Sequence, residues 1–177
     1  MSSASKWLSD QQWMACDRGP VNLEDFRGQT AFAGLDLASV RDVSAFVLLI
    51  PEDDRFTVIP YFFAPKDNAF IRSRRDQVDY IGWSKEGLLE LTEGNVTDYN
   101  YIKKRIQEVA SIVNIKSIAY DRWNSSQLIL DIISEEIANC EPYGQGFGSM
   151  SAPCKELEKL VLGKQLNHGG NKVLRWM

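Results

Sequence analysis

One short apolar run, residues 30–38, carries a single carboxylate and constrains the fold more than any other stretch of the chain. Ala, Phe and Leu side chains surround Asp36, and the only basic residue within five positions of it is Arg41. Such a run suits a strand inside a sheet, where an ionised carboxylate is costly unless another charge neutralises it. We therefore expect Asp36 to meet a bound cation or a charged partner at the end of a buried strand.

A second carboxylate, Asp121, ends another short apolar segment at residues 115–121. If the two strands are parallel neighbours, both acids emerge at the same edge of the sheet, where open α/β sheets bind ligands. Two like charges about 4 Å apart repel by about 4 kcal/mol at an effective dielectric constant of about 20, so the pair requires a cation or a shared proton.

Carboxylate oxygens without a nearby His or Cys cluster favour Mg²⁺ or Mn²⁺ as the cation at Asp36 and Asp121. Asp42 is a third candidate ligand, which could bind the metal directly or through water. Carboxylate-bound Mg²⁺ commonly serves phosphodiester hydrolysis, in which paired metals stabilise the attacking and the leaving oxygen. The same spacing also fits strand-end carboxylates that cap nearby loops. The residues by themselves leave both interpretations open.

Hydrophobic periodicity and turn signals predict a mixed α/β sheet with helices packed on it. Three antiparallel strands are expected first, then a charged helical insert, and then alternating helices and parallel strands. The predicted strands cover residues 31–37, 43–50, 56–63, 115–121 and 139–142, with a small strand pair near 82–83 and 88–92. The predicted helices cover residues 65–80, 97–113, 124–137 and 153–162, with a glycine-rich loop at 143–149. Residues 1–29 are expected to be a linker or extension preceding a domain at 30–177, with a short helix capped by Ser9.

Composition narrows the classes of function. The net charge of −4 argues against a general polyanion-binding domain, although a local basic patch can still contact nucleic acid. Three cysteines without a CxxC pair fit a reducing compartment. The single histidine, His168, is expected to be a turn residue and argues against a histidine zinc site or a Ser-His-Asp triad. No signal peptide is recognisable, and no apolar run approaches the ~18 residues of a membrane span.

Five segments together resemble, in order, the nuclease half of the large terminase subunit of tailed bacteriophages. They are GLDLASVRDVSA at 34–45, GNVTDY at 94–99, AYDRWN at 119–124, QGF at 145–147 and KELEKL at 155–160. The resemblance implies a ribonuclease H-like fold and a Mg²⁺- or Mn²⁺-dependent endonuclease that cuts concatemeric double-stranded phage DNA during packaging. It also implies the portal and the small terminase subunit as partners, and the cytoplasm of the bacterial host as the location. By this resemblance Asp36 and Asp121 match the first and second catalytic acids, and Asp42 matches an accessory acid.

The chain departs from this family's pattern in two respects. No phosphate-binding G-x-x-x-x-G-K-[ST] motif occurs, and we therefore expect the packaging ATPase half to be absent. The third catalytic acid of the family is expected beyond Met177, which predicts a missing C-terminal end, an incomplete two-metal site and weak cutting. The alternative is a catalytically silent module of the same fold that docks on DNA or the portal, and metal titration distinguishes the two. An ATP-binding fold of the actin and sugar-kinase kind is disfavoured, because no glycine-rich loop follows the first strand.

The candidate DNA-binding residues are Arg41, Arg122 and Lys155. Arg122 follows the second acid and is placed to hold a phosphate, whereas Lys155 either faces DNA or belongs to a solvated helix face. The densest basic cluster, at residues 72–75, is expected to be a solvated helix face, with a contact at the edge of the DNA as the alternative.

Overall fold

A mixed sheet runs through the computed structural model, which describes residues 7–38, 42–121 and 126–177. The strands within these ranges are β1 Thr30–Asp36, β2 Ser44–Pro51, β3 Phe56–Pro65, β4 Glu90–Thr92, β5 Asn114–Tyr120, β6 Asn139–Pro142 and β7 Leu166–Asn167. The helices are α1 Asp10–Met14, α2 Lys66–Asp76, α3 Tyr80–Lys85, α4 Tyr99–Ala110, α5 Ser126–Ser134, α6 Phe147–Leu162 and α7 Lys172–Trp176, with a 3₁₀ turn at Leu23–Phe26. No helix in the described ranges is both long and apolar enough to cross a lipid bilayer.

The strand order across the sheet is β4-β3-β2-β1-β5-β6, and β7 pairs with the beginning of β3. Strands β1, β2 and β3 form an antiparallel meander. Strand β5 is parallel to β1, β6 is parallel to β5, and β4 is parallel to β3. The predicted fold class, a mixed sheet that begins antiparallel and continues with parallel strands, is confirmed.

The main hydrophobic core lies between the sheet and helices α4 and α5. Alternate residues of β1 and β2 are buried, as expected for strands that have one face against a core. Helix α4 contributes Ile102, Ile106 and Val109 at helical spacing, and α5 contributes Leu128, Ile129 and Ile132. This packing fixes β1 and β5 side by side in the centre of the sheet.

The N-terminal segment packs against the C-terminal part of the chain. Ser9 caps α1 through a capping box with Gln12, as predicted for the cap. Trp13 stacks on His168 with ring centroids 4.4 Å apart, and the backbone oxygen of Trp13 lies 2.8 Å from His168 Nε2. Because the Gly170 N–H donates to His168 Nδ1, Nε2 carries the proton and donates to that carbonyl. His168 lies in the turn after β7, as expected, and is also a buried contact that ties the two ends of the chain together.

Two local predictions are wrong. The stretch around Gly82 was expected to be a strand but forms helix α3, which is capped by Asp79. The strand expected near residues 88–92 is present as β4, and it pairs with β3. Helix α6 begins at Phe147 and takes up the end of the predicted glycine-rich loop. The helix was predicted to begin at Pro153. A proline is compatible with the first turn of a helix, but Pro153 lies inside α6.

The basic cluster on α2 is solvated in part. Arg74 and Arg75 are exposed as expected, whereas Arg72 is only 5% exposed. Its guanidinium lies 4.9 Å from the ring centroid of Tyr80, donates to the Tyr80 hydroxyl and lies 3.7 Å from a carboxylate oxygen of Asp76. Burial, and then the hydrogen bond from its hydroxyl to Asp76, raise the pKa of Tyr80 to about 12. The expectation of a solvated face is therefore wrong for Arg72, because Tyr80 and Asp76 together accommodate its charge inside the domain.

Candidate active site

The parallel pairing of β1 with β5 brings the two strand-end acids together. Leu35 lies opposite Tyr120 in this register, Asp36 is the last residue of β1, and Asp121 directly follows β5. Both carboxylates therefore emerge at the carboxyl-terminal edge of the sheet, where ligands bind in open α/β sheets. The predicted site required the two strands to be parallel neighbours, and β1 and β5 are.

The charges at this edge act on Asp36. The residue is exposed at the end of its strand, yet the surrounding atoms desolvate its carboxyl. This desolvation raises the pKa of Asp36 above its usual range, and the negative charges of Asp121 and Asp42 raise it further. A carboxylate in this position is destabilised by its neighbours, and a bound cation would relieve that repulsion.

A cleft of about 260 Å³ opens at the two acids. The central strands contribute several small residues to its lining: Gly34, Ala45, Val47 and Ala119. The segment around the start of α6 contributes Tyr143, Gln145 and Met150. A Cβ built on Gly34 would meet no other atom within 4 Å, so there is open space beside this part of β1.

Asp42 lies near the pair but faces another partner. Its side chain is 84% exposed, and a carboxylate oxygen lies 3.6 Å from Nη2 of the buried Arg72. Within the described ranges, no three or more His, Cys, Asp or Glu side chains form a group that could hold a metal ion. The role of Asp42 as a third metal ligand remains a prediction.

Of the three predicted DNA-binding residues, Lys155 lies within the described part of the chain. Arg41 and Arg122 lie outside the described residues. Lys155 lies on α6 and lines a groove together with Gln145 and Met150, which also line the acid cleft. Sequence reasoning did not find this groove, although the glycine-rich stretch before α6 marked the place where it begins.

The family of the chain follows from comparison with known proteins. A sequence model of the endonuclease domain of the terminase large subunit matches residues 1–177. The chain belongs to this family. The resemblance to terminase nucleases is thereby confirmed. The likeness to solved terminase structures confirms the ribonuclease H-like fold class.

Two relatives of this terminase domain are longer proteins. It is 32% identical to the terminase large subunit of Enterobacteria phage HK97 over 98% of its own length and 34% of that protein. It is 26% identical to protein YmfN of Escherichia coli K12 over 99% of its own length and 40% of that protein. The chain therefore spans well under half the length of either relative.

Solved structures show the same fold. The crystal structure of the HK97 large terminase matches with a TM-score of 0.85 and 31% identity, over 96% of this chain and 35% of that chain. The nuclease domain of the human cytomegalovirus terminase, soaked with Mn and bound to an inhibitor, matches with a TM-score of 0.50 and 10% identity over 93% and 76% of the two chains. The large terminase of a thermophilic bacteriophage matches with a TM-score of 0.52 and 10% identity over 96% and 44%. At 10% identity the last two likenesses concern the fold alone.

Neutralising Asp36 is expected to stabilise this terminase domain when no divalent metal is present. A folded-state pKa above the ordinary value of 3.8 means that the fold favours the protonated acid. Protonated Asp36 stabilises the fold, and this stabilisation is fully present below the unfolded-state pKa. It is lost as the pH rises through the folded-state pKa and the carboxyl ionises. Asp36→Asn should therefore melt at a higher temperature than the wild type at pH 7, with a difference that disappears towards pH 3.

Thermal melts in EDTA between pH 3 and pH 8 measure this effect. Asp53→Asn removes an exposed carboxylate in the turn between β2 and β3 and is the matched control, for which we expect no comparable gain. A lower melting temperature for Asp36→Asn at pH 7 would show that the carboxylate is stabilised by its surroundings and would contradict this account of the site.

Proposed function

We propose that this chain is a metal-dependent endonuclease domain that hydrolyses phosphodiester bonds of double-stranded DNA during phage genome packaging. The observation that carries the proposal is the pairing of Asp36 with Asp121 at the carboxyl-terminal edge of the sheet, in a chain of the terminase endonuclease family. The open cleft, lined in part by small residues, supports it, because a DNA phosphate must approach the carboxylates closely.

The residues at this edge fit Mg²⁺ or Mn²⁺. Carboxylate oxygens are the donors that these hard cations prefer, and Asp36 and Asp121 are the proposed catalytic acids and metal ligands, with Asp42 as an accessory ligand. Desolvation, and then the negative charges of Asp121 and Asp42, raise the pKa of Asp36; a cation would balance those two charges, which supports this assignment. Two bound cations would stabilise the attacking and leaving oxygens of the hydrolysis.

Asp42 would have to turn from Arg72 to serve as a ligand. Its exposed side chain has the freedom to do so, and Arg72 would keep its contacts with Tyr80 and Asp76. Arg41, Arg122 and Lys155 are proposed to contact DNA phosphates around the acids. These residues bind and orient the substrate in the proposal and take no part in proton transfer.

The wider setting is proposed from the family. Both relatives are more than twice as long as this chain, and one of them is called a terminase large subunit. Concatemeric double-stranded phage DNA is the proposed substrate, the portal and the small terminase subunit are the proposed partners, and the host cytoplasm is the proposed location.

A plasmid assay tests the proposed function. Supercoiled plasmid should be converted slowly, and without sequence preference, to nicked and linear forms in Mn²⁺ or Mg²⁺, and should remain intact in EDTA. Calorimetric titration of the same protein should show Mn²⁺ binding that competes with Mg²⁺. Cutting that persists in EDTA would overturn the metal mechanism.

The competing candidate is a catalytically silent docking module. The finding that favours it is that the described residues bring together fewer than three metal-binding side chains. If the chain neither binds Mn²⁺ at millimolar concentration nor cuts plasmid, the docking module is the correct interpretation and the nuclease is rejected.

A further inference from the structure

A second depression, which we call the α6 groove, lies along one face of helix α6. It has a volume of about 570 Å³. The residues that line it are Trp7, Gln145, Gly146, Phe147, Met150, Ser151, Cys154, Lys155 and Glu158. Those on α6 recur at intervals of three and four residues, so they form a continuous stripe on one side of the helix.

The α6 groove adjoins the acid cleft. Gln145 and Met150 line both depressions, so a molecule lying in the groove would lie next to the edge that carries Asp36 and Asp121. The groove therefore belongs to the approach to the candidate active site.

The α6 groove contains several exposed apolar side chains. Phe147 at the first turn of α6 is 99% exposed, Trp7 is 54% exposed and Met150 is 36% exposed. Single exposed apolar residues are ordinary, but several in one depression mark a surface that contacts another molecule. Phe147 in particular makes almost no packing contact that would explain its place in the fold.

We propose that the α6 groove is a contact surface for duplex DNA, in which Phe147 and Met150 press against a base step while Lys155 contacts a phosphate. This inference rests on the proposed nuclease function and adds residues that hold and deform the substrate. Apolar side chains that enter the minor groove partly unstack a base step and bend the duplex, and aromatic rings also stack on bases. The wedge would open the duplex next to the acids.

The spacing along α6 fits this occupant. Lys155 is eight residues after Phe147, which corresponds to about 12 Å along the helix. This distance equals three to four base pairs of duplex at about 3.4 Å each, so Lys155 would meet the backbone a few nucleotides from the wedged step. Among the described residues that line the groove, Lys155 is the cation, and Glu158 lies one turn beyond it, where the favourable contact with a polyanion would end.

Duplex binding is the first test. Fluorescence anisotropy of a 30-base-pair duplex in Ca²⁺ should give a dissociation constant about tenfold higher for Phe147→Ala than for the wild type, as expected for the loss of a stacked aromatic ring. Phe70→Ala, which removes a 57% exposed ring on α2 outside the groove, is the matched control and should bind like the wild type. Lys155→Gln should lower the slope of log Kd against log salt concentration by about one.

A spectroscopic measurement separates a wedge from an indirect effect. A duplex carrying 2-aminopurine should become brighter when the wild type binds, because the base unstacks, and should stay quenched with Phe147→Ala. Equal affinity and equal fluorescence for the two proteins would overturn the inference even if the wild type cuts plasmid normally. Failure of the wild type to bind any duplex would overturn the proposed function as well. Unchanged DNA binding by Phe147→Ala, combined with loss of binding to purified portal protein, would assign the groove to a protein partner and reject the wedge.

Discussion

Replacing Asp36 or Asp121 with asparagine is expected to reduce metal-dependent cleavage of duplex DNA by about a thousandfold or more. Each substitution keeps the size of the side chain but removes the negative charge from one of the two neighbouring strand ends. Charge stabilisation by a bound metal is worth several kcal/mol in the transition state, and each factor of ten in rate corresponds to about 1.4 kcal/mol. The rate of plasmid nicking in Mn²⁺ measures the loss.

Three comparisons make this result specific. Asp53→Asn should cut at the wild-type rate, since its carboxylate lies in the turn between β2 and β3. Asp42→Asn should have a smaller effect than either strand-end variant, because its exposed side chain contacts Arg72 in the absence of metal. Asp36→Asn should also fold more stably without metal, so that lost cutting cannot be attributed to unfolding. Cutting by Asp36→Asn within tenfold of the wild-type rate would reject Asp36 as a catalytic acid.

Truncating Phe46 to alanine is expected to lower the free energy of unfolding by about 3–5 kcal/mol. Phe46 is fully buried in β2 and lies opposite Leu35 of β1, one residue before Asp36. The cavity left by the ring would have to be filled by movement of the two central strands, and the surrounding core is packed on both of them. Urea denaturation followed by circular dichroism measures the change.

Phe70→Ala is the matched control for this prediction, because its ring is more than half exposed on α2. Its free energy of unfolding should change by less than about 1 kcal/mol. The Phe46 variant should also gain less stability from added Mn²⁺ than the wild type, since the loosened β1 holds Asp36 less firmly. If Phe46→Ala lowers the free energy of unfolding as little as Phe70→Ala does, the centre of the sheet adapts to the missing ring and the prediction is wrong.

Strands β1 to β6, most helices and the two strand-end acids could be predicted from local patterns, whereas the two-residue strand β7 was not predicted. Alternating and helical hydrophobic spacing depends on neighbours a few residues apart, which the chain itself specifies. The misplaced elements, α3 and the start of α6, lie where glycines and a proline are compatible with more than one local structure. There the packing of the whole domain selects among the alternatives.

Pairing between distant segments could not be read from such patterns. Residues 36 and 121 come together because β1 and β5 are parallel neighbours, and many other strand orders are compatible with the same periodicity. Arg72 has the sequence context of a surface arginine, yet the arrangement of α2 against α3 buries it beside Tyr80. The position of the α6 groove next to the acid cleft likewise depends on where α6 lies against the sheet.

For this terminase domain, the sequence alone therefore determined where most strands lie, to within about two residues, and which residues carry charge, because those properties reside in single residues and their near neighbours. The tertiary structure decided which of these residues meet. A carboxylate at a strand end becomes half of a candidate metal site only when another strand places a second carboxylate beside it. An exposed phenylalanine becomes part of a candidate DNA contact only because its helix begins at the same cleft.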